Sequence, residues 1–346
     1  MGLLQFTSKG IYCKQADVYI DPWKSVEKAL ITHGHSDHAR HGHKQYLCHQ
    51  HSRSILKLRL GKNINIQTVK YGESVSINGV DISFHPAGHI IGSAQIRLEY
   101  KGCVWVVSGD YKIEDDGLSG AYTPIKCQYF ITECTFGLPV YKWIPQQEVF
   151  DDINNWWQQN NKEGKTTVLI GYSLGKAQRL IQGLDTSIGP ILTHGAVENI
   201  NQALRDDGIK LNDTVSVTPD FDKKKFANAI VVAPPSAAGT NWLKKFHPYS
   251  IGIASGWMGL RGPRRRRTVD RGFVLSDHAD WPGLNQAVQA SGAEYVIATH
   301  GYTNAFARWL NEKGVQASVE NTLFEGELPE IKEGSNSGST NDKTEN

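Results

Sequence analysis

Between residues 33 and 38 the chain reads His33-Gly34-His35-Ser36-Asp37-His38, three imidazoles and a carboxylate within six positions. Charged, such imidazoles would repel one another; neutral, they are nitrogen donors for a divalent cation, to which the carboxylate adds a hard oxygen. The mixture suits Zn²⁺, with Mn²⁺ compatible where carboxylate shares the site. On extended backbone, positions i and i+2 face the same way, so His33 and His35 share a side, and Asp37 and His38 fall on the turn that follows. Four ligands in one tight loop are too many for one ion, so two ions are expected, completed from elsewhere in the chain. His89 in Pro86-Ala87-Gly88-His89, Asp110 in Ser108-Gly109-Asp110 and His300 in Thr299-His300-Gly301 are the candidates, each beside a glycine that permits close approach. His41, His43, His49 and His51 follow the motif at irregular spacing amid Arg and Lys and read as solvated loop and helix residues. His85, His194 and His247 have no motif around them.

Two further stretches could carry chemistry. Gly171-Tyr172-Ser173-Leu174-Gly175-Lys176 joins an apolar strand to a helix. Ser173 and the amides around Gly175 could hold a phosphate at that helix N-terminus, with Lys176 adding charge; a plain cap with a solvated lysine is the other reading. The same residues match the GxSxG nucleophile elbow, and Asp277 or Asp280 and His300 follow in the Ser, Asp, His order of a serine hydrolase. That reading leaves the histidine motif, His89 and Asp110 unexplained. Arg264 to Arg267, with Arg261 nearby, is a basic run suited to backbone phosphate or to a mobile surface loop. Trp242 and Trp257 could stack on bases, and core packing is the favoured reading for both.

The elements that must position these residues change character along the chain. Strand-like runs at 17–21, 29–32, 80–85, 94–100, 103–108 and 129–132 make the first part β-rich, with one short helix expected at 52–60. After Gly137 helices alternate with single strands. Helices are expected at 147–161, with Val149, Ile153, Trp156 and Trp157 on one face, and at 176–184, 197–205, 281–290 and 305–313. The strands between them fall at 166–171, 190–193, 229–233, 250–254, 272–275 and 295–299. Repeated βα units imply a partly parallel sheet under helical cover.

Composition narrows the class. The 346 residues allow one large domain or two moderate ones, and 39% hydrophobic with 21% charged residues is an ordinary globular balance. A net charge of +2 announces no strongly basic nucleic-acid binder. No apolar run approaches the ~20 residues of a membrane span, and the first residues lack the apolar core of a signal peptide. Five scattered cysteines without a CxxC pair fit a reduced, cytoplasmic protein. A disulfide scaffold, a membrane protein and a coiled coil are thereby excluded. The tail 331–346 is polar and reads as disordered.

The HxHxDH run, with Asp21, His89 and Asp110 in that order around it, resembles the signature of the metallo-β-lactamase superfamily. Glu133 in Thr132-Glu133-Cys134, His278 in Ser276-Asp277-His278-Ala279-Asp280 and His300 resemble motifs A, B and C of its β-CASP nuclease branch. The chain looks most like the bacterial ligase-associated DNA exonucleases related to Artemis, with the Gly171–Lys176 and Ala254-Ser255-Gly256-Trp257 phrases supporting that placement. The resemblance implies an α/β fold: a metallo-β-lactamase αββα sandwich (1–136 and 272–330) with an inserted β-CASP α/β domain (137–271) and the tail 331–346. It implies that His33, His35 and His89 hold one metal, that Asp37, His38 and His300 hold the other, and that Asp110 bridges. Asp21 would orient a ligand imidazole, and His278, held by Glu133, would act as general acid. The implied activity is a two-metal DNA exonuclease in repair, working from strand ends and associated with a DNA ligase and helicase. His300 at motif C also resembles RNA-processing members, which makes a messenger-RNA 3′-end nuclease the alternative.

Overall fold

A computed structural model describes residues 2–260 and 269–324 of the chain. The Arg264–Arg267 run, Arg261 and the tail 331–346 lie outside the described residues.

Three sheets carry the fold. The first has six strands in chain order: β1 (Leu4–Phe6), β2 (Ile11–Cys13), β3 (Val18–Ile20), β4 (Lys28–Ile31), β5 (Gln45–His49) and β6 (Ile66–Val69). The second contains β7 (Ser74–Ile77), β8 (Val80–Pro86), β9 (Ala94–Tyr100), β10 (Cys103–Val107), β11 (Tyr129–Cys134), β18 (Tyr295–Gly301) and β19 (Gln316–Val319). Its spatial order is β19-β18-β11-β10-β9-β8-β7, so the chain leaves after β11 and returns beside it at β18. The intervening stretch builds the third sheet from β12 (Thr166–Ile170), β13 (Ile191–Thr193), β14 (Val215–Ser216), β15 (Ile230–Ala233), β16 (Tyr249–Ala254) and β17 (Arg271–Phe273). Every pair in it is parallel, in the order β14-β13-β15-β12-β16-β17. Among the described residues the α-helices are α1 (Arg53–Leu60), α2 (Gln146–Lys162), α3 (Lys176–Gly183), α4 (Gly195–Asp206), α5 (Trp281–Ser291) and α6 (Thr303–Glu312).

Period-two alternation sorts the residues of the first two sheets between layers. Leu30 of β4 joins Ile20, Ile82, Ile96, Leu98, Val107 and Ile131 in one core between the sheets. Its neighbours Ala29 and Ile31 point the other way, where α1 lays Leu56 and Leu60 on them. Val106 and Phe130, one residue before Val107 and Ile131, face Leu284, Val288, Phe306 and Leu310 of α5 and α6. The layers are therefore helix, sheet, sheet, helices. The third sheet is buried on both faces, as parallel sheets are. Leu169 packs under Trp157 and Leu180 of α2 and α3, while Val168 and Ile170 meet Leu243 and Phe246 on the opposite side. The two parts touch through α1 and α4: Ile55 shares a cluster with Ile200 and Leu204, and Ser54 Oγ donates to Asp207 Oδ1 at 2.7 Å.

The expected mixed α/β fold is present, and the expected helices and strands form with ends shifted by a residue or two. Seven strands were not expected: β1, β2, β5, β6, β7, β14 and β19. Several span only two to four residues, too short for alternation to register. β5 hides in the histidine-rich stretch.

Candidate metal centre

Strand ends deliver the expected ligands to one place. The turn after β4 carries His33, His35, Asp37 and His38; the turn after β8 carries His89; Asp110 follows β10; and His300 lies at the end of β18. Ligating atoms of His33, His35, His89 and Asp110 lie within 4.8 Å of one another, and so do those of His38, Asp110 and His300. Asp37 stands at the rim, its Oδ2 3.7 Å from His38 Nε2. Gly109 makes the approach of Asp110 possible: at φ +57° its missing Cβ would stand 2.8 Å from the Cβ of Thr32.

Hydrogen bonds fix which ring nitrogen points inward. His35 Nε2 lies 3.1 Å from the Leu174 carbonyl, His89 Nδ1 2.8 Å from the Asp277 carbonyl, and His38 Nδ1 2.8 Å from Asp21 Oδ2. Carbonyl and carboxylate oxygens only accept, so each of these nitrogens carries the ring hydrogen. The Thr32 hydroxyl donates to Asp21 Oδ2 and accepts from His33 Nδ1 at 3.1 Å. In the neutral rings the opposite nitrogens therefore present bare lone pairs. His35 Nδ1 and His89 Nε2 face each other at 3.1 Å with no hydrogen between them. His33 Nε2 and His38 Nε2 are buried without a hydrogen-bond partner, 3.5 and 3.6 Å from Asp110 Oδ2. His300 Nε2 and Asp110 Oδ1 lie 2.9 Å apart, an ion-pair contact. Each orphaned buried polar group costs about 1–3 kcal/mol. A set of lone pairs turned on one carboxylate is the donor arrangement that divalent cations satisfy, so the residues fit metal.

Electrostatics agree. Burial lowers the pKa of His33, His35 and His89, and neighbouring imidazoles push His33 and His89 the same way, so these rings are neutral at pH 7. At His38 burial opposes charge, but Asp110, Asp37 and Asp21 carry its pKa up to about 10. At pH 7 that negative field therefore holds a proton on Nε2, which a metal ion binding there would displace. Burial also opposes charge on Asp110, yet His38 and His300 hold it well below the carboxylate range.

Glu133 and His278 form a second group beside the first. His278 Nδ1 lies 2.9 and 3.0 Å from the two Glu133 oxygens. Glu133 also accepts from the amides of Tyr111 at 3.1 Å and Thr135 at 3.2 Å. With Asp110 and His278, Glu133 is also close enough for a metal triple, but its oxygens are filled by these donors. It orients an imidazole instead. The His278 ring lies 4.7 Å from that of His89, centroid to centroid.

Several expectations require correction. Lys176 is neither solvated nor a phosphate donor: its side chain is 0% exposed and its Nζ lies 3.0 Å from Asp277 Oδ2. The Gly175 amide is taken by Gln178 Oε1 at 2.8 Å, which leaves it no hydrogen for a phosphate. Ser173 is half-buried. No serine relay assembles, because Asp277 faces Lys176, His300 faces Asp110, and Asp280 caps α5 by accepting from Gly283 N at 2.9 Å. His41 is exposed as expected, but His43 and His49 are buried, His43 beside Tyr46 and His49 stacked on Tyr71. Trp242 and Trp257 pack against the third sheet's core.

Other residues at the site were not anticipated. Thr32 links Asp21 to His33; the Asp277 carbonyl holds His89; and the Phe324 ring lies parallel to His38, 4.3 Å between centroids. Backbone carbonyls and a lone aromatic leave no mark in spacing. The Ser276-Asp277-His278 phrase was the one available signal for Asp277.

Several known proteins are similar to this chain. No family model matches the chain. Probable DNA ligase of Opitutus terrae is 28% identical over 314 residues, 90% of this chain and 30% of that protein. Endoribonuclease YSH1 of Candida glabrata is 27% identical over 306 residues, 70% of this chain and 39% of that protein. The chain thus spans well under half of either relative's length. A crystal structure of a protein of unknown function from Enterococcus faecalis shares the fold with a TM-score of 0.59 at 10% identity, over 86% of this chain and 80% of that one. The chain is thus similar to proteins whose names include a DNA ligase and an endoribonuclease, and it shares a mixed α/β fold with the Enterococcus protein. These relatives bear out the resemblance of the chain to the β-CASP branch of the metallo-β-lactamase superfamily. Among the described residues, no helix is long and apolar enough to cross a membrane.

Proposed function

We propose that the protein is a two-metal phosphodiesterase that hydrolyses nucleic acid, a DNA exonuclease acting from strand ends in repair. The observation that carries the reading is the convergence of ring nitrogens of His33, His35, His38, His89 and His300 on Asp110. In this reading 1–136 and 272–330 form the metallo-β-lactamase αββα sandwich and 137–271 the inserted β-CASP domain. Two Zn²⁺ ions, or Mn²⁺, would occupy the centre. His33, His35 and His89 would hold one, Asp37, His38 and His300 the other, and Asp110 would serve both. What bound divalent cations supply at such a site is Lewis acidity toward a phosphodiester and acidification of an attacking water.

The chain's own residues do the rest. Asp21 keeps the hydrogen of His38 on Nδ1 and leaves Nε2 to ligate. Glu133 keeps a hydrogen on His278 Nδ1, so protonation at Nε2 makes this ring the general acid for the leaving oxygen. The Ser173 hydroxyl is the remaining phosphate contact on the 171–176 turn. The Opitutus relative, named as a probable DNA ligase and matched over 90% of this chain, favours DNA and a functional association with a ligase; association with a helicase rests on the family resemblance alone. The Candida relative, named as an endoribonuclease, supports RNA processing as the second reading.

The test is cleavage of end-labelled single-stranded DNA and RNA of one sequence, with Zn²⁺ or Mn²⁺ and then with chelator, beside a His278→Ala control. Shortening of DNA from one end with RNA spared is expected. Preference for RNA would move the function to RNA processing, and chelator-insensitive cleavage would overturn the metal reading.

A further inference from the structure

One turn of α3 is directed at the metal centre from behind. Lys176, fully buried, sets its Nζ 3.0 Å from Asp277 Oδ2. Arg179, one helical turn on, donates from Nη1 to the Ser276 carbonyl at 2.5 Å, lies 3.3 Å from Asp277 Oδ1, and donates from Nη2 to Gln146 Oε1 at 2.7 Å. Asp277 works in two directions. Its carboxylate is gripped by α3, and its carbonyl accepts from His89 Nδ1 at 2.8 Å. The residue after it is His278. Just before α3, the Leu174 carbonyl takes the hydrogen of His35 Nε2. The helix start is seated tightly: at Gly175, φ +89°, a Cβ would lie 2.2 Å from Ile90 Cγ2, beside His89.

We propose that residues 174–179 are a positioning element for the His35–His89 half of the centre, with Lys176 acting through Asp277. Leu174 fixes the inward nitrogen of His35 directly. Lys176 and Arg179 hold the 276–278 turn, which fixes His89 and seats His278 against Glu133. A buried ion pair adds little net stability, because desolvation offsets its Coulomb attraction; what this one supplies is register between α3 and the turn. The part of the proposal that concerns His278 rests on the nuclease reading, and the part that concerns His35 and His89 does not.

The test compares wild type with Lys176→Met and Lys176→Arg in the full chain. Affinity for Zn²⁺ is measured without substrate by competition with a chromophoric chelator, cleavage of a labelled oligonucleotide gives kcat and KM, and a thermal melt of the metal-free protein reports folding. Partners that orient metal ligands are typically worth about 10–100-fold. Lys176→Met is therefore expected to lose about 10–100-fold in Zn²⁺ affinity and in kcat, with KM within about twofold and its salt dependence unchanged, and Lys176→Arg to recover most of both. A KM that rises while its salt slope falls by about one would show a phosphate contact and overturn the proposal. So would a variant with lowered melting but wild-type kcat and Zn²⁺ affinity. Should Lys176→Met fail to fold, Asp277→Asn, which keeps the backbone carbonyl, is expected to move the same two readouts less; no change there would also overturn it. If wild type cuts no substrate, the nuclease reading fails while the Zn²⁺ competition still decides this proposal.

Discussion

Two strand-ending turns meet at this centre, and their charges are disposed in opposite ways. The turn after β4 points its functional atoms into a space where they have no protein partner: His33 Nε2 and His38 Nε2 are buried and unbonded. The turn after β12 points Lys176 into the protein, where Asp277 answers it. Both turns are dense in chemically capable residues, and both looked functional in the sequence. What separates them is whether a buried group is satisfied from within. Orphaned lone pairs call for a ligand, whereas a satisfied pair marks the scaffold that aims them.

If that contrast is right, substitutions in the first set should abolish chemistry and those in the second should weaken it. Asp110→Ala has the largest expected effect. It removes the carboxylate shared by both ligand groups, and a loss of several kcal/mol of transition-state stabilisation corresponds to about 10³-fold or more in kcat/KM, with metal content falling in the same sample. His33→Ala should behave alike; wild-type cleavage by either variant would dissolve the contrast. His278→Ala is expected to cost about 10²–10⁴-fold in kcat, the range for general acids, while its metal content stays at the wild-type level. Loss of metal there would make His278 a ligand. The Lys176 variants come next. Ser173→Ala should be smallest at the site: one hydrogen bond is worth about 0.5–1.5 kcal/mol, so KM should rise roughly 2–10-fold with kcat unchanged.

The buried histidines away from the centre give a pH test. Burial lowers His43 to about 4 and, helped by His51, His49 to about 3, from 6.5. The unfolded chain therefore takes up these protons first. Their contribution to stability is whole above about pH 6.5 and is lost as pH falls toward 4 and 3. His49→Phe, which can keep the stack on Tyr71, should show a smaller drop in Tm between pH 7 and pH 5 than wild type. An equal drop would mean that His49 does not titrate with folding.

Much of the fold was legible in the sequence because the longer elements are periodic. Alternation in 80–86 and 94–100 and the apolar face of α2 require no tertiary information. The candidate ligands, which the structure brings to one place, were legible because their spacing is dense and glycines flank them. Lys176 was not. A lysine at a helix start looks the same whether it meets solvent or a carboxylate brought from a hundred residues away. His43 and His49 were misread for a related reason: their burial is decided by β5, a strand that polar residues conceal. The carbonyls of Leu174 and Asp277 are main-chain groups, whose roles no side-chain pattern records.

The most direct test of the central claim is to count metal ions on the folded chain by native mass spectrometry after loading with Zn²⁺, beside Asp110→Ala. Two ions per chain for wild type, and fewer for the variant, is the expected result. A wild-type chain that holds one ion or none, or an Asp110→Ala chain that still holds two, would contradict the account.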